Sequence, residues 1–143
     1  MGNAHTILKN KGNQIISIPP DFIVYDALEL MVEKNVSALP VVIGDVLVGI
    51  FTERDYARKV ILKGKTSKET VIAEVMTTNP ETIGPCTSID ECMLLMTNKF
   101  TRHLPVVDDG KLIGIVSIGD VVKHIIEDQK FIIENMEQYI SRI

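Results

Sequence analysis

Thr52-Glu53-Arg54-Asp55 and Ser117-Ile118-Gly119-Asp120 each set a carboxylate three residues after a hydroxyl, and the two copies lie 65 residues apart. Each follows an apolar run, Gly49-Ile50-Phe51 or Gly114-Ile115-Val116, and precedes an amphipathic one. That pattern predicts a strand that ends at the hydroxyl and turns into a helix carrying the aspartate. Two kinds of chemistry suit the spacing. A hydroxyl at a helix N-cap accepts from the N3 amide while an acid at N3 bonds back, a variant capping box worth about 0.5–2 kcal/mol. A helix start at a sheet edge also offers amides to a phosphate, and an aspartate on its first turn accepts the two hydroxyls of a ribose. Cations lie close by in Arg54 and in Arg102-His103, just ahead of Leu104-Pro105. Repeated in two halves, the combination favours a ligand role for Thr52, Asp55, Ser117 and Asp120, with Arg54, Arg102 and His103 as the candidate phosphate-binding set.

The elements that must position these residues form a repeat. A shift of 65 lays 18–56 on 83–121 without a gap. It matches Pro20 with Pro85, Met31 with Met96, Lys34 with Lys99, Leu39-Pro40-Val41-Val42 with Leu104-Pro105-Val106-Val107, and Asp55 with Asp120. In each copy a short strand (14–18; 81–83) runs into a proline, which ends it. A helix follows, with Val24, Ala27, Leu28, Met31 and Val32 at three- and four-residue spacing in the first copy and Ile89, Cys92, Met93 and Met96 in the second. Strands at 39–43 and 46–51 turn at Gly44-Asp45, and Asp109-Gly110 makes the corresponding turn. The prediction is an α+β fold of two β-α-β-β-α units packed sheet to sheet, because one unit of about 50 residues cannot bury both faces of its own sheet. The expected boundaries are 1–62 for the first repeat with its N-terminal segment, 63–76 for a polar linker and short helix, 77–126 for the second repeat, and 127–143 for a C-terminal helix. That last helix carries an apolar stripe suited to packing within the chain or on a second copy.

A formal charge of −4 over 143 residues gives no field to attract a nucleic-acid backbone or an anionic membrane. The most apolar stretch, 39–51, is interrupted by Pro40, Gly44, Asp45 and Gly49 and falls short of the roughly 18 residues of a spanning helix. The N-terminus shows no apolar signal core, so a cytoplasmic location is expected. Met1-Gly2 with Thr6 matches the loose N-myristoylation pattern, and a single acyl chain anchors only marginally. Cys86 and Cys92 read as small apolar side chains near a core rather than as a disulfide or redox pair. His5, His103 and His124 have no partner at metal-ligand spacing, so no metal is expected.

The segments VSALPVV, TRHLPVVDDGKLIGIVS, GIFTERD and GIVSIGD resemble a tandem pair of CBS domains, the paired unit called a Bateman module, over 15–126. TERDYARKV with a helical tail resembles the stand-alone bacterial or archaeal type. The resemblance implies a pseudo-twofold axis, two clefts between the units and adenine nucleotides as ligands. It implies that Thr52 with Asp55, and Ser117 with Asp120, hold ribose. Ser37 and Ala38, and Arg102 and His103, would approach base or phosphate, while Ile16, Val36, Ile50, Pro80 and Ile115 would line the base. Arg54, Arg102 and His103 are expected to converge on one cleft and to leave Ser37, Ala38 and Gly119 to the other. Protonation of His103 is expected to raise affinity for phosphate between about pH 8 and 6.

The chain is thus expected to be a non-catalytic regulatory or sensor module for AMP, ATP, NAD(H) or a related adenosyl ligand, with no required cofactor, working as a homodimer. Ser117 and His103 lack a third residue that would orient the histidine for nucleophilic catalysis. The alternative is a protein-interaction and dimerisation module with vestigial clefts.

Overall fold

A computed structural model describes residues 2–12 and 14–141. Two hairpins organise it. β1 (Ala38–Ile43) pairs antiparallel with β2 (Val46–Thr52), and β4 (His103–Asp108) with β5 (Lys111–Ser117). Their registers are equivalent under the 65-residue shift: Ala38 faces Thr52 as His103 faces Ser117, and each ladder slips at the same place, 41/42 and 106/107. β3 (Thr77–Thr78) adds to the outer edge of β2, giving a three-stranded sheet beside a two-stranded one. The sheets meet along β2 and β5.

The strands expected at 14–18 and 81–83 shrink to single parallel bridges, Ile18 to Val41 and Ile83 to Val106. Ile18 donates its N–H to the Pro40 carbonyl and accepts from Val42, and Ile83 does the same with Pro105 and Val107. Pairing stops there because a proline, with no N–H to give, stands within two residues of each isoleucine.

α2 (Val24–Lys34) and α5 (Ile89–Asn98) cover the hairpins and bury Val24, Ala27 and Met31, and Ile89, Cys92 and Met96. Val32, placed by its spacing in the buried stripe, is instead 82% exposed. Cys92 sits in the second core, where burial pushes its thiol up, while Cys86 is at the surface.

Two further helices complete the cores by exchange. α4 (Ile72–Val75) puts Ile72 and Val75 into the first core with Ile18, Leu39 and Phe51. α1 (Ala4–Lys11) puts Ala4 and Ile7 into the second core with Ile83, Leu104 and Val116. The shift of 65 lays Ile7 on Ile72, so α1 and α4 are equivalents, each packed on the half that it does not precede in sequence. The N-terminal segment, grouped with 1–62 by its place in the chain, therefore makes its core contacts with the second repeat.

After β2 the chain enters α3, a single turn (Glu53–Asp55) that continues as a π-helical stretch, Tyr56–Ile61. After β5, α6 (Ile118–Ser141) is one uninterrupted helix, so the second repeat's last helix and the tail are a single element. Residues 142 and 143 of the expected tail, and Met1 of the acylation pattern, lie outside the described residues. Among the described residues, no helix is long and apolar enough to cross a membrane.

Candidate functional site

The first T-x-x-D step is a reciprocal capping box. Asp55 donates its N–H to Thr52 Oγ1 at 3.1 Å, and Asp55 Oδ2 accepts from the Thr52 N–H at 3.0 Å and from its hydroxyl at 3.1 Å. The other oxygen, Oδ1, accepts from the Thr77 hydroxyl at 2.9 Å and lies 3.1 Å from Lys59 Nζ. These donors match the roughly four acceptor sites of a carboxylate, which is how a charged side chain only 8% exposed is accommodated. The second step repeats the box: Asp120 N–H donates to Ser117 Oγ at 3.1 Å, and Ser117 N–H to Asp120 Oδ2 at 2.9 Å. Asp120 Oδ2 also accepts from Lys11 Nζ at 2.8 Å, and Lys11 Nζ donates to the Ile115 carbonyl at 2.9 Å.

The expectation of free amides at the helix starts needs correction. Glu53 N–H donates to the Ser37 carbonyl at 3.1 Å and Ile118 N–H to the Arg102 carbonyl at 2.9 Å. With the capped aspartate amides, most of each first turn is already bonded within the chain. A bound anion must therefore rely chiefly on side-chain cations.

Those cations do converge. A cleft of about 470 Å³ lies between the halves. The first half lines it with Ser37, Ile50, Thr52, Arg54 and Asp55, and the second with Pro80, Arg102 and His103. Arg54 spans the gap, donating through Nη1 to the Phe100 carbonyl at 2.7 Å. Ile16 and Val36 instead pack on the first core, and Ala38 is buried. Ser117, Asp120 and Ile115 belong to the other step, with Lys11. Ser37 was expected in the opposite cleft, but its Oγ is 2.9 Å from His103 Nε2, because the starts of β1 and β4 meet between the halves. Gly119 lies on an outer apolar groove of α6 with Ile118, Val122 and Ile126.

Burial holds the His103 pKa below the ordinary 6.5, with Lys11 and Arg102 pushing the same way and Asp120 opposing them. The imidazole is neutral at physiological pH. Any gain in phosphate affinity from its protonation is displaced to below pH 6.5 rather than spread upward from it.

Thr77, Asn79, Lys99 and Phe100 also line the cleft and were not singled out by sequence. Lys99 carried a signal, its match to Lys34 under the shift. Thr77 carried none, since it lies outside the gap-free block.

Paired hairpins, exchanged helices and a cleft between halves define a tandem-repeat module, and the family model for the CBS domain matches residues 12–62 and 72–127. The chain belongs to the CBS domain family. It is similar to a protein with CBS domains from Burkholderia ambifaria MC40-6, with 51% identity and a TM-score of 0.84 over 89% of this chain and 96% of that one. CBS domain-containing protein CBSX3, mitochondrial, of Arabidopsis thaliana is 38% identical over 144 residues, 94% of this chain and 70% of the relative. The structure of CBSX2 in complex with AMP matches at 32% identity and a TM-score of 0.73, over 90% of this chain and 99% of that one.

Proposed function

We propose that the chain is a non-catalytic regulatory module that binds an adenine nucleotide in the cleft lined by Thr52, Arg54, Asp55 and Arg102. The observation that carries this is the meeting, around one cleft, of a carboxylate from the first half with cations from both. A nucleotide has the complementary pair of features: a diol that donates and a phosphate that accepts. Ile50 and Pro80 offer the base an apolar wall. The AMP complex of CBSX2 supports an adenine nucleotide in this fold. AMP, ATP and NAD(H) share the adenosyl part, so AMP is the first probe.

Ribose binding here is an exchange. The carboxylate of Asp55 already has donors in Thr52, Thr77 and Lys59, so a diol displaces the longest-reaching of them rather than adding bonds, and the net gain is smaller than for an unpartnered acid. Because the cleft draws on both halves, the ligand couples their positions. Calorimetry tests this. The expected result is saturable AMP binding, weakened about tenfold, or about 1.4 kcal/mol, by Arg102→Ala and by Asp55→Asn. Adenosine, which has no phosphate, should not distinguish Arg102→Ala from the parent. Absence of saturable binding by AMP, ATP and NAD(H) would overturn the reading, and turnover of bound nucleotide would replace it with an enzymatic one.

A second reading, a protein-interaction and dimerisation module, is favoured by the apolar side chains that α6 exposes, among them Phe131, Ile133, Met136 and Tyr139. A homodimer is compatible with both.

A further inference from the structure

In the first half, Thr77 makes two connections beside the cleft. Its hydroxyl donates to Asp55, and its backbone pairs with Ile50 in the ladder between β2 and β3. In the second half the equivalent acceptors, Asp120 and Ile115, are both taken by the ammonium of Lys11, at 2.8 and 2.9 Å. The 65-residue shift lays Lys11 on Met76, whose thioether packs against Gly49. The residue after α4 is thus a methionine where α1 ends in a lysine, and a cation stands where the first half keeps a neutral hydroxyl.

Lys11 is not on a loose arm. Ala4 and Ile7 anchor α1 in the second core, and Leu8 lies on Gly114, where an added Cβ would come within 2.6 Å of Leu8 Cδ2. The Ala4 and His5 amides donate to the Thr87 and Pro85 carbonyls at 2.9 Å each. So held, the ammonium stays within reach of a carboxylate whose side chain is only 20% exposed. Lys59 also reaches Asp55, but from the next turn of its own helix, and it does not line the first cleft.

We propose that Lys11 is a specificity-determining residue that restricts the chain to one nucleotide, by occupying Oδ2 of Asp120 and the carbonyl of Ile115 and so closing the second T-x-x-D step to a ribose. This rests on the nucleotide reading of the first cleft. The asymmetry expected from sequence placed too few cations at the second cleft. Here the blocking group is itself a cation, delivered by the helix exchange.

The test is ligand stoichiometry by native mass spectrometry and calorimetry on the full chain, with AMP and adenosine as probes. The parent is expected to bind one ligand per chain. Lys11→Met and Lys11→Ala are expected to bind two, the added event disappearing in Lys11→Met with Asp120→Asn. Circular dichroism verifies folding, and since Lys11 belongs to neither core, Lys11→Gln replaces any variant that fails to fold. Two ligands bound by the parent, or one by folded Lys11 variants, overturn the role of Lys11 and leave the first cleft standing. Binding by the Lys11 variants alone supports Lys11 and removes the first-cleft assignment. No binding by any of them overturns both.

Discussion

Ser37 Oγ and His103 Nε2 lie 2.9 Å apart, one from each half, at the point where β1 and β4 begin. A neutral imidazole can keep that contact as acceptor or donor, depending on its tautomer, whereas the protonated ring can only donate and must also lose its hydration. Burial accordingly holds His103 below 6.5. The unfolded chain then takes up protons first as the pH falls, so stability is intact above 6.5 and is lost from 6.5 downward through the folded-state value. The parent's Tm is expected to fall more steeply than that of His103→Gln between about pH 7 and 5, with parallel profiles above that window. Equal slopes throughout would mean that His103 is freely hydrated.

Asp55 holds the start of α3 and ties it to β3 through Thr77. Asp55→Ala keeps the amide bond to the Thr52 hydroxyl but removes the carboxylate half of the capping box, and it leaves the Thr77 hydroxyl and Lys59 to find other partners. A loss of about 1–3 kcal/mol is expected from urea denaturation. Asp120→Ala should cost less, because its side chain is 20% exposed against 8% for Asp55. The reverse order would show that the second step, with Lys11, carries the greater structural weight.

Gly49 and Gly114 are equivalent positions with different neighbours. A Cβ at Gly49 would stand 2.7 Å from Met76 Sδ and 2.9 Å from the Thr77 carbonyl oxygen, whereas the three atoms nearest to one at Gly114 all belong to the Leu8 side chain. Side-chain ends can move aside, but a strand's backbone cannot without breaking its ladder. Gly49→Ala is therefore expected to destabilise by about 1–3 kcal/mol and Gly114→Ala by less. Thermal melts of the two variants give the comparison directly.

The hairpins and both T-x-x-D steps were legible because alternation, tight turns and capping are local, and because the repeat states each of them twice. The helix exchange was not. Beyond Ile18 the shift leaves one clear match, Ile7 with Ile72, and nothing local says that α1 crosses to the far half. Lys11 with Asp120 is an ion pair between residues 109 apart and has no sequence signature. Thr77 became visible only as a partner of Asp55 across 22 residues. Val32 fits the helical period yet faces outward, since a period gives the spacing of a stripe but not its width.

Every described residue of α6 from 129 onward is exposed. That length of helix, about 20 Å, is marginal by itself in water. It nonetheless carries Phe131, Ile132, Ile133, Met136, Tyr139 and Ile140, more apolar surface than a solvated helix needs. The stripe continues inward along the helix through Ile126, Val122 and Ile118, so one copy could lay its tail along the same face of another in an isologous contact. A homodimer is the expected mass by light scattering at about tens of micromolar. Truncation after Asp128 should give a monomer that keeps both cores, which lie wholly before that residue. Ile133→Glu, which sets a charge in the stripe without shortening the helix, should weaken the dimer while leaving AMP binding in place. A monomeric parent would show that the stripe is not a self-association surface, and a dimer that survives both changes would move the contact to α2 and α5.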